Sequence, residues 1–124
     1  VERVFVYGTL KRGERSHALV APYLHRVLPG RVLGYRLFHL EGGGRPYPYP
    51  AMVPGEGWVE GEVLFLDPEA LPLLDELEEE GVEYRRVRVR AETPEGPLEA
   101  WAYLYLGDLE GARPLPSGSW GGYP

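Results

Sequence analysis

Apolar positions recur in steps of two along much of the chain, the periodicity of half-buried strands. Arg3-Val4-Phe5-Val6-Tyr7 is β-branched and aromatic and stops at Gly8, which predicts a short strand running into a glycine turn. Residues 31–40 predict a second strand, with Gly34 as a bulge or bend. Residues 58–66 place Val59, Gly61, Val63 and Phe65 on one face and Trp58, Glu60, Glu62, Leu64 and Leu66 on the other. Residues 83–91 set Val87, Val89 and Ala91 against Arg86, Arg88 and Arg90, and residues 98–106 alternate small apolar residues with Trp101, Tyr103 and Tyr105. Residues 93–97 are the turn of that hairpin.

Two stretches leave this rhythm. Residues 14–25 carry Ala18, Leu19, Tyr23 and Leu24 at loose helical spacing, interrupted by Pro22. Asp67-Pro68 is a helix start, with Asp67 as cap and Pro68 in the first turn, and the helix runs toward Gly81. The Gly42-Gly43-Gly44 run and residues 45–50 predict a long surface loop, read either as a rigid segment or as a lid. Several strands with one good helix give an α+β class: a small single domain with a curved or closed β-barrel and few helices. The body spans residues 1–106, and residues 107–124, dominated by glycine, proline and serine, form an irregular tail packed on it.

Composition narrows the chemistry. The 124 residues are 44% apolar, enough for one core, and contain no cysteine, which excludes disulfides, a thiolate nucleophile and sulfur-ligated metal. Nineteen acids against 13 bases give a net charge of −6, which repels nucleic acid and anionic membrane. The absence of any apolar run near ~18 residues predicts no membrane span, and the strand pattern at the amino end points to a soluble, cytoplasmic protein. His17, His25 and His39 are too irregularly spaced for a metal cluster, so no metal is assigned. Arg86, Arg88 and Arg90 read as a solvated strand face with Glu60 and Glu62 opposite, in preference to a phosphate-binding row. One of Trp101, Tyr103 and Tyr105 is expected to line a pocket. The pattern carries no signal for or against oligomers.

One acid on the helix stands apart. At about 100° per residue, with Ala70 at zero, the stripe of Leu73, Leu74 and Leu77 centres near 20°, and Asp75, Glu76, Glu79 and Glu80 point away from it. Glu78 falls near 80°, between Leu74 and Leu71. A carboxylate held among leucines is desolvated, which suits it to exchange a proton near neutral pH. The competing reading is a structural ion pair with Arg85 or Arg86.

Tyr7-Gly8-Thr9-Leu10-Lys11-x-Gly13 resembles the amino-terminal pattern of the γ-glutamylcyclotransferase-like family, especially its γ-glutamylamine cyclotransferase branch. The resemblance continues through Tyr49-Pro50-Ala51-Met52, Val59-x-Gly61-Glu62-Val63, Leu74-Asp75-x-Leu77-Glu78, Tyr84-x-Arg86 and Ala100-Trp101-x-Tyr103 to Ser117-Gly118-x-Trp120. It implies a barrel-containing fold and a reaction in which the substrate's own α-amine attacks its γ-amide carbonyl, releasing 5-oxoproline and a free amine with no cofactor. It further implies Glu78 as general base and acid, and Tyr7, Gly8, Thr9 and Leu10 as the cradle of a small γ-glutamyl substrate. An alignment anchored on Gly81 selects Glu80 instead, and Ser119 stands where the family commonly has aspartate. A non-catalytic metabolite-binding module of the same fold is the alternative.

Overall fold

The computed structural model describes residues 1–121; the last three residues of the 107–124 segment lie outside it. Six strands follow one another among the described residues: β1 (Glu2–Val6), β2 (Leu24–Leu40), β3 (Tyr49–Leu66), β4 (Tyr84–Thr93), β5 (Gly96–Tyr105) and the two-residue β6 (Arg113–Pro114). β3 pairs antiparallel with both β1 and β2, β1 lies parallel to β5, and β5 and β2 flank β4 antiparallel. These pairings close a five-stranded ring, the barrel that the alternating pattern allowed. β6 pairs with Phe38 and His39 of β2, so the segment after residue 107 is not wholly irregular.

Period-two alternation sorts side chains between two cores. Phe5, Val32, Val59, Val63, Val89, Ala91, Ala100 and Ala102 point into the barrel, one or two from each ring strand. The opposite face of β1, β3 and β5 supplies Val4, Val6, Leu64, Leu66 and Tyr103 to a second cluster outside the ring. That face is covered by α1 (Ala70–Leu77), which buries Ala70 and Leu74 against it. Burying both faces of β3 explains why Leu64 and Leu66 are as hidden as Val59 and Val63.

Several elements differ from the sequence reading. Residues 14–25 form two single-turn 3-10 helices, His17–Leu19 and Ala21–Tyr23, because Pro22 removes the N–H that a continuous helix needs. β2 and β3 form a long antiparallel arm extending into the expected 45–50 loop: Tyr49 and Pro50 pair with Leu40 and His39, so this end of the segment is strand. Prolines at 50 and 54 mask the strand in the sequence. Gly34 is the predicted bulge, with φ of 90° and a register shift between Leu33 and Tyr35. Helix α1 is shorter than expected. Its N-cap is Glu69, and Asp67 does not cap it; the Asp67 carboxylate bonds His25 Nε2 at 2.6 Å instead.

The arginine row is not paired with Glu60 and Glu62, because β4 neighbours β5 and β2, never β3. Arg86 bonds Asp75, its guanidinium and that of Arg88 lie 4.4 and 4.7 Å from the Trp101 ring centre, and Arg90 pairs with Glu92. Among the described residues no helix is long and apolar enough to cross a membrane.

Candidate active site

β1 ends at Val6, and the chain turns through residues 7–10 beside the carboxyl end of α1. Tyr7, Gly8, Thr9 and Leu10 line a cavity of about 90 Å³, and Glu78 lines it from the other side. All five sequence-nominated residues therefore meet in one place. Glu80 is not in that wall; its carboxylate accepts the Arg86 amide at 3.2 Å.

The turn is built by close packing. Gly8 does not adopt left-handed backbone; a Cβ there would stand 2.5 Å from Pro50 Cγ, so glycine is needed for the strand arm to press against the turn. Lys11 N–H bonds the Gly8 carbonyl at 3.1 Å, Ser16 N–H bonds the Thr9 carbonyl at 2.8 Å, and His17 Nδ1 lies 2.9 Å from the Leu10 carbonyl. The carbonyls of the turn are thus engaged. The amides of Gly8, Thr9 and Leu10 donate to no acceptor among the described residues, which leaves three backbone donors in the cavity wall for an anionic or carbonyl group.

Glu78 is the C-cap of α1, still in right-handed backbone, and its amide bonds the Leu74 carbonyl at 2.9 Å. Helical geometry therefore holds just long enough to aim the side chain inward. At Glu79 the chain leaves the helix with φ of 50°, and Gly81 follows at 86°. Glu79 and Glu80 thus escape the wheel drawn for them. The Glu78 side chain has no hydrogen bond or ion pair among the described residues; of the two partners in the competing reading, Arg85 makes no bond to it and Arg86 is committed to Asp75 at 2.9 Å. Burial pushes the Glu78 pKa up to about 7, with the nearby Glu83 carboxylate as the second cause.

Tyrosines frame the carboxyl. Tyr7 donates to the Tyr103 carbonyl at 2.6 Å and accepts the Met52 amide at 3.3 Å, and Tyr84 donates to the Pro50 carbonyl at 2.7 Å. Tyr103, the aromatic of β5 that does line the cavity, donates to Asp75 at 2.7 Å. The sequence reading missed Glu83, Tyr49 and Tyr84 in the wall and Asp75 behind it. Glu83 is one more acid in an acidic stretch and carried no signal. Tyr49, Asp75 and Tyr84 did, since each stands in a motif that carries the resemblance, but none was assigned to the site.

A small closed barrel with a desolvated carboxyl and unused backbone amides in the wall of one cavity defines a class of compact α+β proteins with a candidate site on the outer face of the ring. The model of the family described as Gamma-glutamyl cyclotransferase, AIG2-like, matches residues 4–122, and the chain belongs to that family. A Vibrio cholerae protein named putative gamma-glutamylcyclotransferase is 38% identical over 120 residues, covering 94% of this chain and 93% of that one. The human gamma-glutamylaminecyclotransferase is 33% identical over 116 residues, covering 82% and 76%. The crystal structure of an uncharacterized Pyrococcus horikoshii protein superposes with a TM-score of 0.74 at 27% identity, covering 96% of this chain and 89% of that one.

Proposed function

We propose that this protein is a γ-glutamyl cyclotransferase that converts a γ-glutamyl amine or amide into 5-oxoproline and the free amine. The observation that carries the reading is Glu78: a half-buried, unpaired carboxyl whose pKa desolvation pushes up to about 7, in one cavity with the three free amides of residues 8–10.

Glu78 as carboxylate takes a proton from the substrate's α-ammonium. The freed amine nitrogen attacks the γ-carbonyl carbon and closes a five-membered ring, while the carbonyl oxygen gains charge. Glu78 returns its proton to the γ-amide nitrogen and the bond from that nitrogen to the carbonyl carbon breaks. The ring nitrogen then gives up its second proton, again through Glu78, to the departing amine, which leaves as the ammonium while the ring nitrogen keeps one N–H. Water is neither consumed nor formed. A base matched to neutral pH serves both transfers, since it is strong enough to accept and weak enough to return the proton. The amides of residues 8–10 bind the α-carboxylate or the developing oxyanion, and holding amine and carbonyl together replaces an encounter in solution.

The test is 5-oxoproline formation from a panel of γ-glutamyl amines, γ-glutamyl amino acids and ε-(γ-glutamyl)lysine, with Glu78→Gln alongside. Turnover by the wild type that is lost in a folded Glu78→Gln protein supports the assignment. Turnover surviving the substitution removes Glu78 from the chemistry, and no turnover on any member of the panel favours a binding module.

A further inference from the structure

The polar side chains of the cavity wall are one-sided. Four of its tyrosines have already committed their hydroxyl protons: Tyr7 to the Tyr103 carbonyl, Tyr84 to the Pro50 carbonyl, Tyr103 to Asp75, and Tyr49 to Glu83 at 2.9 Å. Burial raises the pKa of all four, so those protons stay in place. A hydroxyl has one proton, and a tyrosine that has donated it offers a ligand only lone pairs. Two carboxyl groups, Glu78 and Glu83, belong to this wall, and among the described residues no lysine, arginine or histidine lines it. Among the described residues of the wall, Thr9 and Tyr47 keep hydroxyls that can serve either way.

Glu83 is the group that the proton transfers leave unused. It has no ion-pair partner among the described residues. Arg45, the guanidinium in this network, spends its donors on the hydroxyls of Tyr49 and Tyr105 and on the Gly42 carbonyl, each at 3.2 Å. The Arg45–Tyr49–Glu83 chain orients the carboxylate without neutralising it directly. We propose that Glu83 binds a primary ammonium group of the ligand, so that the pocket selects its γ-glutamyl substrate by charge while Glu78 is left to exchange the proton. The inference rests on the γ-glutamyl reading above and adds a specificity residue to it.

The division of labour has a physical reason. A base that titrates near neutrality is partly uncharged at working pH, so it is a poor counter-ion for an arriving cation. A second carboxyl, held in place by the Tyr49 hydroxyl and taking no part in the proton transfers, is free to serve as that counter-ion. The ammonium has two sources: the α-ammonium of the γ-glutamyl unit, or a second amine on the leaving group.

Glu83→Gln tests the idea, because its amide oxygen still accepts the Tyr49 proton while the charge is gone. KM and kcat are measured for γ-glutamylmethylamine, which has one ammonium, and for a γ-glutamyl diamine, which has two, with calorimetric affinity for 5-oxoproline, which has none. The expected result is a KM raised about tenfold, the loss of one charge-assisted contact, with 5-oxoproline affinity within about twofold of wild type. A rise on both substrates assigns the contact to the α-ammonium, and a rise on the diamine alone assigns it to the leaving group. Unchanged KM on both, or an equal loss of 5-oxoproline affinity, overturns the proposal. Should the wild type form no 5-oxoproline, calorimetry with the same γ-glutamyl compounds replaces KM. Charge-selective binding without turnover then overturns only the reaction, and absence of binding overturns both.

Discussion

Replacing Glu78 by Gln should stabilise the protein while removing its proposed activity, and the gain should depend on pH. The carboxyl has an ordinary value of 4.5 and is pushed up to about 7 in the fold, so folding favours its protonated form. Below pH 4.5 the group is protonated both folded and unfolded and imposes no penalty. Between 4.5 and 7 the unfolded chain ionises while the folded one resists, and stability falls as pH rises; above 7 the loss is complete and constant. At ~1.4 kcal/mol for each unit of pKa, the full effect is about 3 kcal/mol, with desolvation the larger part and repulsion from Glu83 the smaller. Glutamine keeps the shape and carries no charge. Urea unfolding of both proteins at several values from pH 4 to 8.5 should therefore show nearly equal stability at the acid end and an advantage for the variant approaching ~3 kcal/mol at the alkaline end. Over the same range wild-type turnover should rise through about pH 7 as Glu78 becomes a base. The variant should lose on the order of 10²- to 10⁴-fold in kcat. Stability curves that run parallel with pH would refute the desolvated carboxyl, whatever the activity shows.

Other substitutions probe the frame around that carboxyl. Gly8→Ala forces a Cβ against Pro50 and should cost about 1–3 kcal/mol, read as a lowered Tm, with KM raised because the turn must shift. Tyr7→Phe leaves the Tyr103 carbonyl and the Met52 amide without their buried partner, and chemical denaturation should record a loss of about 1–3 kcal/mol. Glu79→Gly relieves left-handed backbone at a residue outside the cavity wall; a gain of about 1 kcal/mol in thermal unfolding with unchanged kcat is expected, and a loss would show that the strain is absent. Glu83→Gln should raise KM about tenfold without weakening 5-oxoproline.

Much of the barrel was legible because its strands bury different residue types on alternate sides. Ala100 and Ala102 face the crowded interior while Trp101 and Tyr103 face outward, and this small-large alternation is visible in the string of letters. The β2–β3 arm was half hidden, since Pro50 and Pro54 sit within an ordinary antiparallel register and propensity alone argues against them. Residues 14–25 misled in the opposite sense: the apolar spacing is helical, but Pro22 allows only two separate turns.

Glu78 could be singled out from sequence because a helix wheel is local, needing only fixed geometry over the residues before it. The wheel succeeded because the last right-handed residue is Glu78 itself; one position later the backbone turns left-handed, and the angles assigned to Glu79 and Glu80 lose meaning. Local pattern was enough for the strand alternation, the amphipathic helix, and the presence of one acid on its apolar side. The folded chain was needed to show that Arg86 belongs to Asp75, that Pro50 needs a glycine opposite it, and that Glu83 stands in the same cavity as Glu78. Those facts depend on how separate elements pack, and no local rule of spacing or propensity encodes which of many acids, arginines and tyrosines will meet when the ring of strands closes.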